Sequence, residues 1–332
     1  MRHVFGTADL HVTPMTIGWV VEAFRVMRAH AQTFDGADLV VCGDIFDQAD
    51  TLHVPTVFAL VECLRDWPGH VWLVTGNHDI APCGGTPLTL LSGPRVTVVT
   101  APVETEVGAM VPWPGAGGFA AARDSLPLSP HPLTWTHAAF RGAYQNSARR
   151  DTTGDVVPKG VVIAGHYHAP QNVGRVVYCG SPYERTFAEE GHTKGFLVVT
   201  PDTALGSAPS RVAFGDIGAP RHCTIRWNPD DGAPVRPDWV REGDKVRVVT
   251  TATRKEADVH AKTIADAGLA GVPILTAAAT GSSRGVVERG DTPEEAAIRW
   301  VLRTHGPDPL QVDPADMLAY AADELGMTEA GP

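Results

Sequence analysis

The stretch "VWLVTGNHDI", Val71 to Ile80, decides how the chain reads. Val71–Val74 is an apolar run of strand type that ends at Gly76, and Asn77, His78 and Asp79 follow without a break. A buried strand ordinarily runs out into residues chosen for backbone shape. Here an amide, an imidazole and a carboxylate stand in a row, so the strand end presents donor atoms. Three other strand ends repeat the pattern: "TADLH" with Asp9 and His11, "VVCGDIFD" with Asp44 and Asp47, and "VIAGHYH" with His166 and His168. In extended chain, the two-residue spacing of Asp9/His11 and of His166/His168 turns both side chains to one face, with Leu10 and Tyr167 facing the other way. Gly43, Gly76 and Gly165 let the chain turn sharply where each strand ends.

Carboxylate, imidazole and amide oxygen together form a mixed O/N metal set. It lacks thiolates and holds more ligands than one tetrahedral zinc needs. Such a set suggests two metals sharing a carboxylate, about 3.5–4 Å apart, holding a phosphate and activating a water between them. A lone DxH, or a lone GD after a strand, is ordinary surface or turn chemistry. All four motifs in this order, each directly after an apolar strand, point to a metal site.

Composition bounds the rest. Of 332 residues, 43% are hydrophobic and 20% charged, as in an ordinary globular protein, and the length suggests two domains with a small appendage. The N-terminal "MRHVFGTADLH" lacks the apolar core of a signal peptide. No apolar stretch approaches the roughly 20 residues of a membrane span. The five cysteines, Cys42, Cys63, Cys83, Cys179 and Cys223, are scattered and include no CxxC pair. A reduced cytoplasmic protein is expected, without a zinc knuckle or disulfide framework. The formal net charge of −11 argues against nucleic-acid binding through a broad basic face of this chain alone.

Strands are expected at 3–6, 38–42, 71–74, 96–100, 133–136, 161–164, 176–179 and 196–200, and helices at 16–31 and 55–67. Early strand–helix–strand order implies a partly parallel sheet, and the denser strands that follow imply a second, mixed sheet. The Gly/Ala/Ser/Pro-rich stretch 201–220 reads as a boundary. Strands at 223–227, 245–250 and 273–277 around a helix near 254–267 make a small α+β unit. Two short helices are expected in the tail, at 293–304 and 314–325, the first with a Thr292/Glu295 capping box and the second capped by Asp313.

On these motifs the first 200 or so residues resemble the calcineurin-like metallophosphoesterases. The resemblance implies an α/β fold, a β-sandwich flanked by helices. It also implies that Asp9, His11, Asp44 and His168 hold one metal, with Asp44 bridging to a second held by Asn77, His166 and a further histidine. His137 in "LTWTHAAF", after another apolar strand, is the candidate for that histidine. Asn77 is then a neutral ligand where phosphate must bind. His78 is placed as proton donor to the leaving oxygen, and Asp79 as the group that orients its imidazole. Asp47 fits either as support behind the ligands or as a helix cap. His53, Arg141, Arg149 and Arg150 lie near the motifs, where the arginines fit either phosphate contacts or solvated loop charges.

"GDIFDQ" lacks the GDxxDRG continuation of protein phosphatases, whereas "VVYCGSPYERTFAEEGHTKGFLVV", Val176 to Val199, is similar to the segment that follows GHxH in SbcD-type nucleases. That resemblance, to a compact, phage-like version of the subunit, implies three parts. Residues 1–220 form the nuclease domain, 221–285 a DNA-capping domain, and 286–332 a helical segment docking on an SbcC-like ABC ATPase. The expected function is a manganese-dependent two-metal DNA phosphodiesterase, exonuclease or endonuclease, that acts in double-strand-break repair and recombination. Its partners would be DNA and the ATPase, with the chain a homodimer within a heterotetramer. A stand-alone phosphoesterase on nucleotides or small diesters, and a metal-binding scaffold without turnover, are the alternatives. The intact His78 argues against the scaffold, which needs ligands but no proton donor.

Overall fold

A computed structural model of the chain describes residues 3–126, 133–145, 150–158, 160–200, 209–228, 230, 236–252, 259, 261–269, 272 and 274–276. The chain divides into two compact units, Met1–His222 and Cys223–Pro332.

The first unit is an α/β sandwich of two six-stranded sheets flanked by helices, as expected. Strands β1 (His3–Thr7), β2 (Ala37–Cys42), β3 (Val71–Val74) and β4 (Val96–Val99) run parallel, side by side. The second sheet contains β5 (Val103–Thr105), β6 (Gly108–Val111), β7 (Leu133–His137), β8 (Val161–Gly165), β9 (Gln171–Val173) and β10 (Val176–Tyr178), in the order β5-β6-β7-β8-β10-β9. The chain then returns to the first sheet through β11 (Gly195–Val199), antiparallel to β1, and β12 (Ser210–Ala213), antiparallel to β11.

Side-chain alternation builds the layers. Val4, Val40, Cys42 and Val74 face inward against Met110, Leu133, Trp135 and Ile163 of the second sheet. Their neighbours Phe5, Leu39, Val41 and Leu73 face outward, under helices α1 (Ile17–Ala31) and α2 (Val54–Arg65). Helix α1 buries Val20, Ala23, Phe24, Met27 and Ala31, a stripe at helical spacing. On the far side, α3 (Phe119–Asp124) seats Phe119 against Phe140, with ring centroids 5.0 Å apart, over the outer face of the second sheet. The large interior indoles are satisfied: Trp67 Nε1 donates to Ala37 O and Trp135 Nε1 to Val107 O, each at 2.8 Å.

Four strands were not legible in the sequence: β5, β6, β9 and β12. β6 is "GAMV", with little side-chain alternation to read, and β5, β9 and β12 lie at sheet edges and are partly exposed. β12 also corrects the reading of 201–220 as wholly a boundary, because residues 210–213 extend the first sheet through pairs such as Phe196↔Val212.

The glycines at the strand ends act differently from expectation. Gly43 does adopt a left-handed backbone, with φ of 81°. Gly76 and Gly165 do not; they are glycines because backbone passes close by. A Cβ on Gly165 would stand 2.0 Å from Cys42 O and 2.8 Å from Ala8 Cβ, and one on Gly76 would stand 2.3 Å from Asp44 N. Gly165→Ala is therefore expected to destabilise the first unit by about 1–3 kcal/mol, the usual cost of overpacking. At roughly 2–4 °C per kcal/mol, thermal unfolding resolves this as a loss of several degrees. An unchanged Tm would mean that the two sheets part without cost.

From the boundary onward, β13 (His222–Trp227), β14 (Lys245–Thr250) and β15 (Ile274–Thr276) form one sheet, with β14 and β15 parallel. A short helix, α4 (Ala261–Ile264), runs into a π-helical turn at Ala265–Leu269. Ile225, Trp227, Val248, Ile264 and Leu269 form a core of its own. The expected tail helices, and the segment 286–332 that contains them, lie outside the described residues, as does most of 254–260. No helix among the described residues is long and apolar enough to cross a membrane.

Candidate metal centre

The C-terminal ends of β1, β2, β3, β7 and β8 meet at one rim of the sandwich, and each carries part of the site. Two loops run side by side after β1 and β2, with Asp9 N donating to Gly43 O and His11 N to Asp44 O, both at 3.0 Å. Asp9 joins the sheets, since its carboxylate accepts from His166 N at 2.9 Å. Asp44 Oδ1 accepts from His78 N at 2.9 Å, tying the third loop to the second.

These loops are not extended, which corrects the geometric basis of the sequence reading. Asp9 (φ 54°), His11 (41°), Asp44 (51°) and His166 (98°) are the non-glycine residues with positive φ among the described residues. Aspartate and histidine tolerate this region better than most residues. Even so, such strain costs on the order of 1–3 kcal/mol per residue and persists only where surroundings enforce it. The paired side chains do converge, and the left-handed turns aim them. Leu10 and Tyr167 are buried behind the site.

All seven expected ligands come together. Donor atoms of Asp9, His11 and His168 lie within 4.8 Å of one another, as do those of Asp9, Asp44 and His137, and those of His11, Asp44 and His78. Asn77 Oδ1 stands 3.0 Å from His137 Nε2 and 3.2 Å from His166 Nδ1. Asp44 Oδ2 lies between the two halves, 3.6 Å from His11 Nε2 and 3.3 Å from His137 Nε2. Asp9 also reaches both halves, but both of its oxygens face His166 N, so Asp44 keeps the freer oxygen.

The donor set fits divalent cations. His137 Nδ1 donates to Cys42 O at 2.8 Å, so the neutral ring turns its Nε2 lone pair toward two oxygens, Asn77 Oδ1 and Asp44 Oδ2. A proton or a metal must lie between them. Burial lowers the pKa of His137, but Asp44 outweighs it and raises the pKa to about 9, which is that proton. Burial pushes His11 down to about 3 and leaves its Nε2 without a hydrogen-bond partner. Burial likewise pushes His166 to about 3. Neutral imidazoles are what metal ligation requires. His11 has its Nδ1 3.2 Å from Asp47 Oδ1, which leaves Nε2 for the centre.

His78 is exposed at the rim. Its Nδ1 donates to the Asp47 carbonyl at 2.8 Å, so Nε2 is the free nitrogen, and its ring meets His11 edge-on with centroids 4.9 Å apart. The expected role of Asp79 is corrected. Asp79 is buried and accepts from Ile45 N, Phe46 N and Gly76 N at 2.9–3.0 Å, so it clamps the second and third loops together. Both oxygens are occupied by backbone amides, and the imidazole is oriented by Asp47 instead. Burial, with Asp44 nearby, pushes the Asp79 carboxyl up to about 7 against those amides.

Of the two readings of Asp47, support is the one the structure shows. Besides His11 and His78 it meets Arg185, whose Nη2 lies 2.7 Å from Oδ1. His53 bonds Thr56 in the first turn of α2, Arg141 bonds Gly154 O, and Arg150 bonds Tyr144 OH and lies over its ring, so these three serve their own loops. Arg149 lies outside the described residues.

Sequence reasoning missed several contributors. Trp113 stacks on His166, with centroids 5.0 Å apart. Tyr183 OH donates to Leu10 O at 2.6 Å. Glu189 Oε1 stands 3.3 Å from His168 Nδ1. Tyr183, Arg185 and Glu189 all belong to "GSPYERTFAEEGHTKGF", which was legible as a pattern but not as a set of contacts.

No family model matches the chain, and no curated protein matches it. Among solved structures, 57 chains are similar. One is a proposed 5′-nucleotidase of Staphylococcus aureus in complex with alpha-ketoglutarate, at 12% identity and a TM-score of 0.32, over 64% of this chain and 53% of that one. The chain thus spans about half the length of that protein. Another is nuclease MPE of Pseudomonas putida, at 19% identity and a TM-score of 0.32, over 64% of this chain and 84% of that one. At such identities a shared name transfers no chemistry, so the geometry of the site carries the function.

Proposed function

We propose that this chain is a two-metal phosphodiesterase acting on DNA. The observation that carries the chemistry is the convergence of six oxygen- and nitrogen-bearing side chains around Asp44, with the free Nε2 of His78 at the rim. Two divalent cations held there would neutralise phosphate charge and lower the pKa of a water between them. Asp9, His11 and His168 would hold one, Asn77, His137 and His166 the other, and Asp44 would serve both. Asn77 ligates without adding negative charge where a phosphate must approach. His78 hands its Nε2 proton to the leaving oxygen, while its Nδ1–H stays on the Asp47 carbonyl.

DNA as substrate is supported by the resemblance of Val176–Val199 to the SbcD-type segment. The small second unit fits a capping role, and the net charge of −11 fits a subunit whose ATPase partner supplies much of the DNA grip. The assembly we propose is a homodimer of this chain bound to an SbcC-like ATPase through the tail, in the cytoplasm.

Hard oxygen donors mixed with imidazole suit manganese in six-coordinate geometry better than magnesium. Metal-stripped protein is expected to regain cleavage of linear DNA and of a small diester with Mn²⁺, and far less with Mg²⁺. Cleavage of the small diester alone, even with the ATPase present, would move the assignment to a stand-alone phosphoesterase. Metal binding with no hydrolysis of either would overturn the enzyme assignment.

A further inference from the structure

We infer that Glu189 is a positioning residue for His168, held in place by Lys194 and Ser181. The inference rests on the metal-centre assignment above and concerns one half of it.

Glu189 ends a short 3₁₀ turn, Phe187–Glu189, and its side chain is 6% exposed, that of Lys194 9%. Its two oxygens are divided between tasks. Oε1 faces His168 Nδ1 at 3.3 Å, while Oε2 accepts from Ser181 Oγ at 3.2 Å and from Lys194 Nζ. Lys194 spends its three donors on three acceptors: Glu189 Oε2, Ser181 Oγ at 3.0 Å and His168 O at 2.9 Å. His168 is therefore gripped twice by one network, at its ring by Glu189 and at its carbonyl by Lys194.

A buried ion pair is a poor way to add stability, because desolvating both charges offsets most of their attraction. A salt bridge placed behind an imidazole, with every donor satisfied, instead fixes direction. With Nδ1–H committed to Glu189, His168 turns Nε2 toward Asp9 and His11. His137 leans on a neutral carbonyl and His166 on a tryptophan face, so dependence on Glu189 is confined to the half that contains His168.

Titration of Mn²⁺ into metal-free protein by calorimetry tests this. Wild type should show two sites, which tests the underlying assignment by itself. Glu189→Ala should weaken one site by about 10–100-fold, the usual effect of losing such a support, and leave the other unchanged. Glu189→Gln should weaken the same site less, because its amide oxygen still accepts from Nδ1–H. A purely structural role would lower Tm and weaken both sites together, or weaken neither, and either result overturns the inference while leaving the two-site wild type standing. If Glu189→Ala does not fold, Glu189→Gln decides: a selective drop at one site supports the role, and two unchanged sites overturn it.

Discussion

Replacing Asp44 by alanine is expected to leave the centre without its shared ligand and to abolish hydrolysis. Asp44 Oδ2 is the oxygen between His11 Nε2 and His137 Nε2, so both halves lose a donor in one substitution. The loss of activity should go well beyond the roughly 10–100-fold typical of residues that only support a ligand. A second effect acts on His137. Burial pulls its pKa down and Asp44 chiefly holds it up, so without that carboxylate the buried ring keeps a proton less readily. Asp44→Asn separates charge from shape: it can still accept from His78 N yet brings no negative charge to the metals. Metal content and hydrolysis measured on both variants check this. Full occupancy of both sites in Asp44→Ala would remove Asp44 from the ligand set.

His78→Ala should behave in the opposite way, keeping the metals and losing the chemistry. The side chain is exposed, and the backbone amide that binds Asp44 survives the substitution, so the loops stay in place. What disappears is the Nε2 proton. General acid catalysis typically contributes about 10²–10⁴-fold, and that is the expected loss on DNA, whose leaving alkoxide needs a proton. On a p-nitrophenyl diester the loss should be small, because that phenolate departs unaided. The contrast between the two substrates, at unchanged metal content, is the decisive measurement. Equal losses on both would assign His78 to phosphate binding instead.

Much of the candidate site was legible because each candidate ligand follows on an apolar strand. Val71–Val74 before Asn77, and Leu133–His137 with its terminal histidine, are visible as strings of letters. The local shape was not legible. Nothing in "TADLH" distinguishes an extended chain from one with Asp9 and His11 in left-handed turns, since that choice depends on the neighbouring Gly43–Ile45 loop bonding alongside. Asp79 was misassigned for a related reason. Adjacency to His78 suggested a partner for the ring, whereas its side chain turns inward to three amides. Glu189 and Lys194 look like surface charges in the sequence, and only the fold shows that they close behind His168. The short edge strands escaped because three or four partly exposed residues carry too little periodicity to read.

Each half of the centre draws on both sheets. Asp9 and His11 face His168 across the seam, and Asp44 and Asn77 face His137 and His166. The sandwich interior therefore sets the spacing of the candidate ligands. Trp135 lies so close to Gly6 that a Cβ there would stand 3.0 Å from its ring, and Gly165 rides against Cys42 O. A methyl group gained or lost between the sheets, several residues from any ligand, would widen or narrow the gap that the donors span. The geometry of the candidate centre can thus drift through changes in the oily interior while every candidate ligand stays the same, and a catalogue of site residues alone would not register the change.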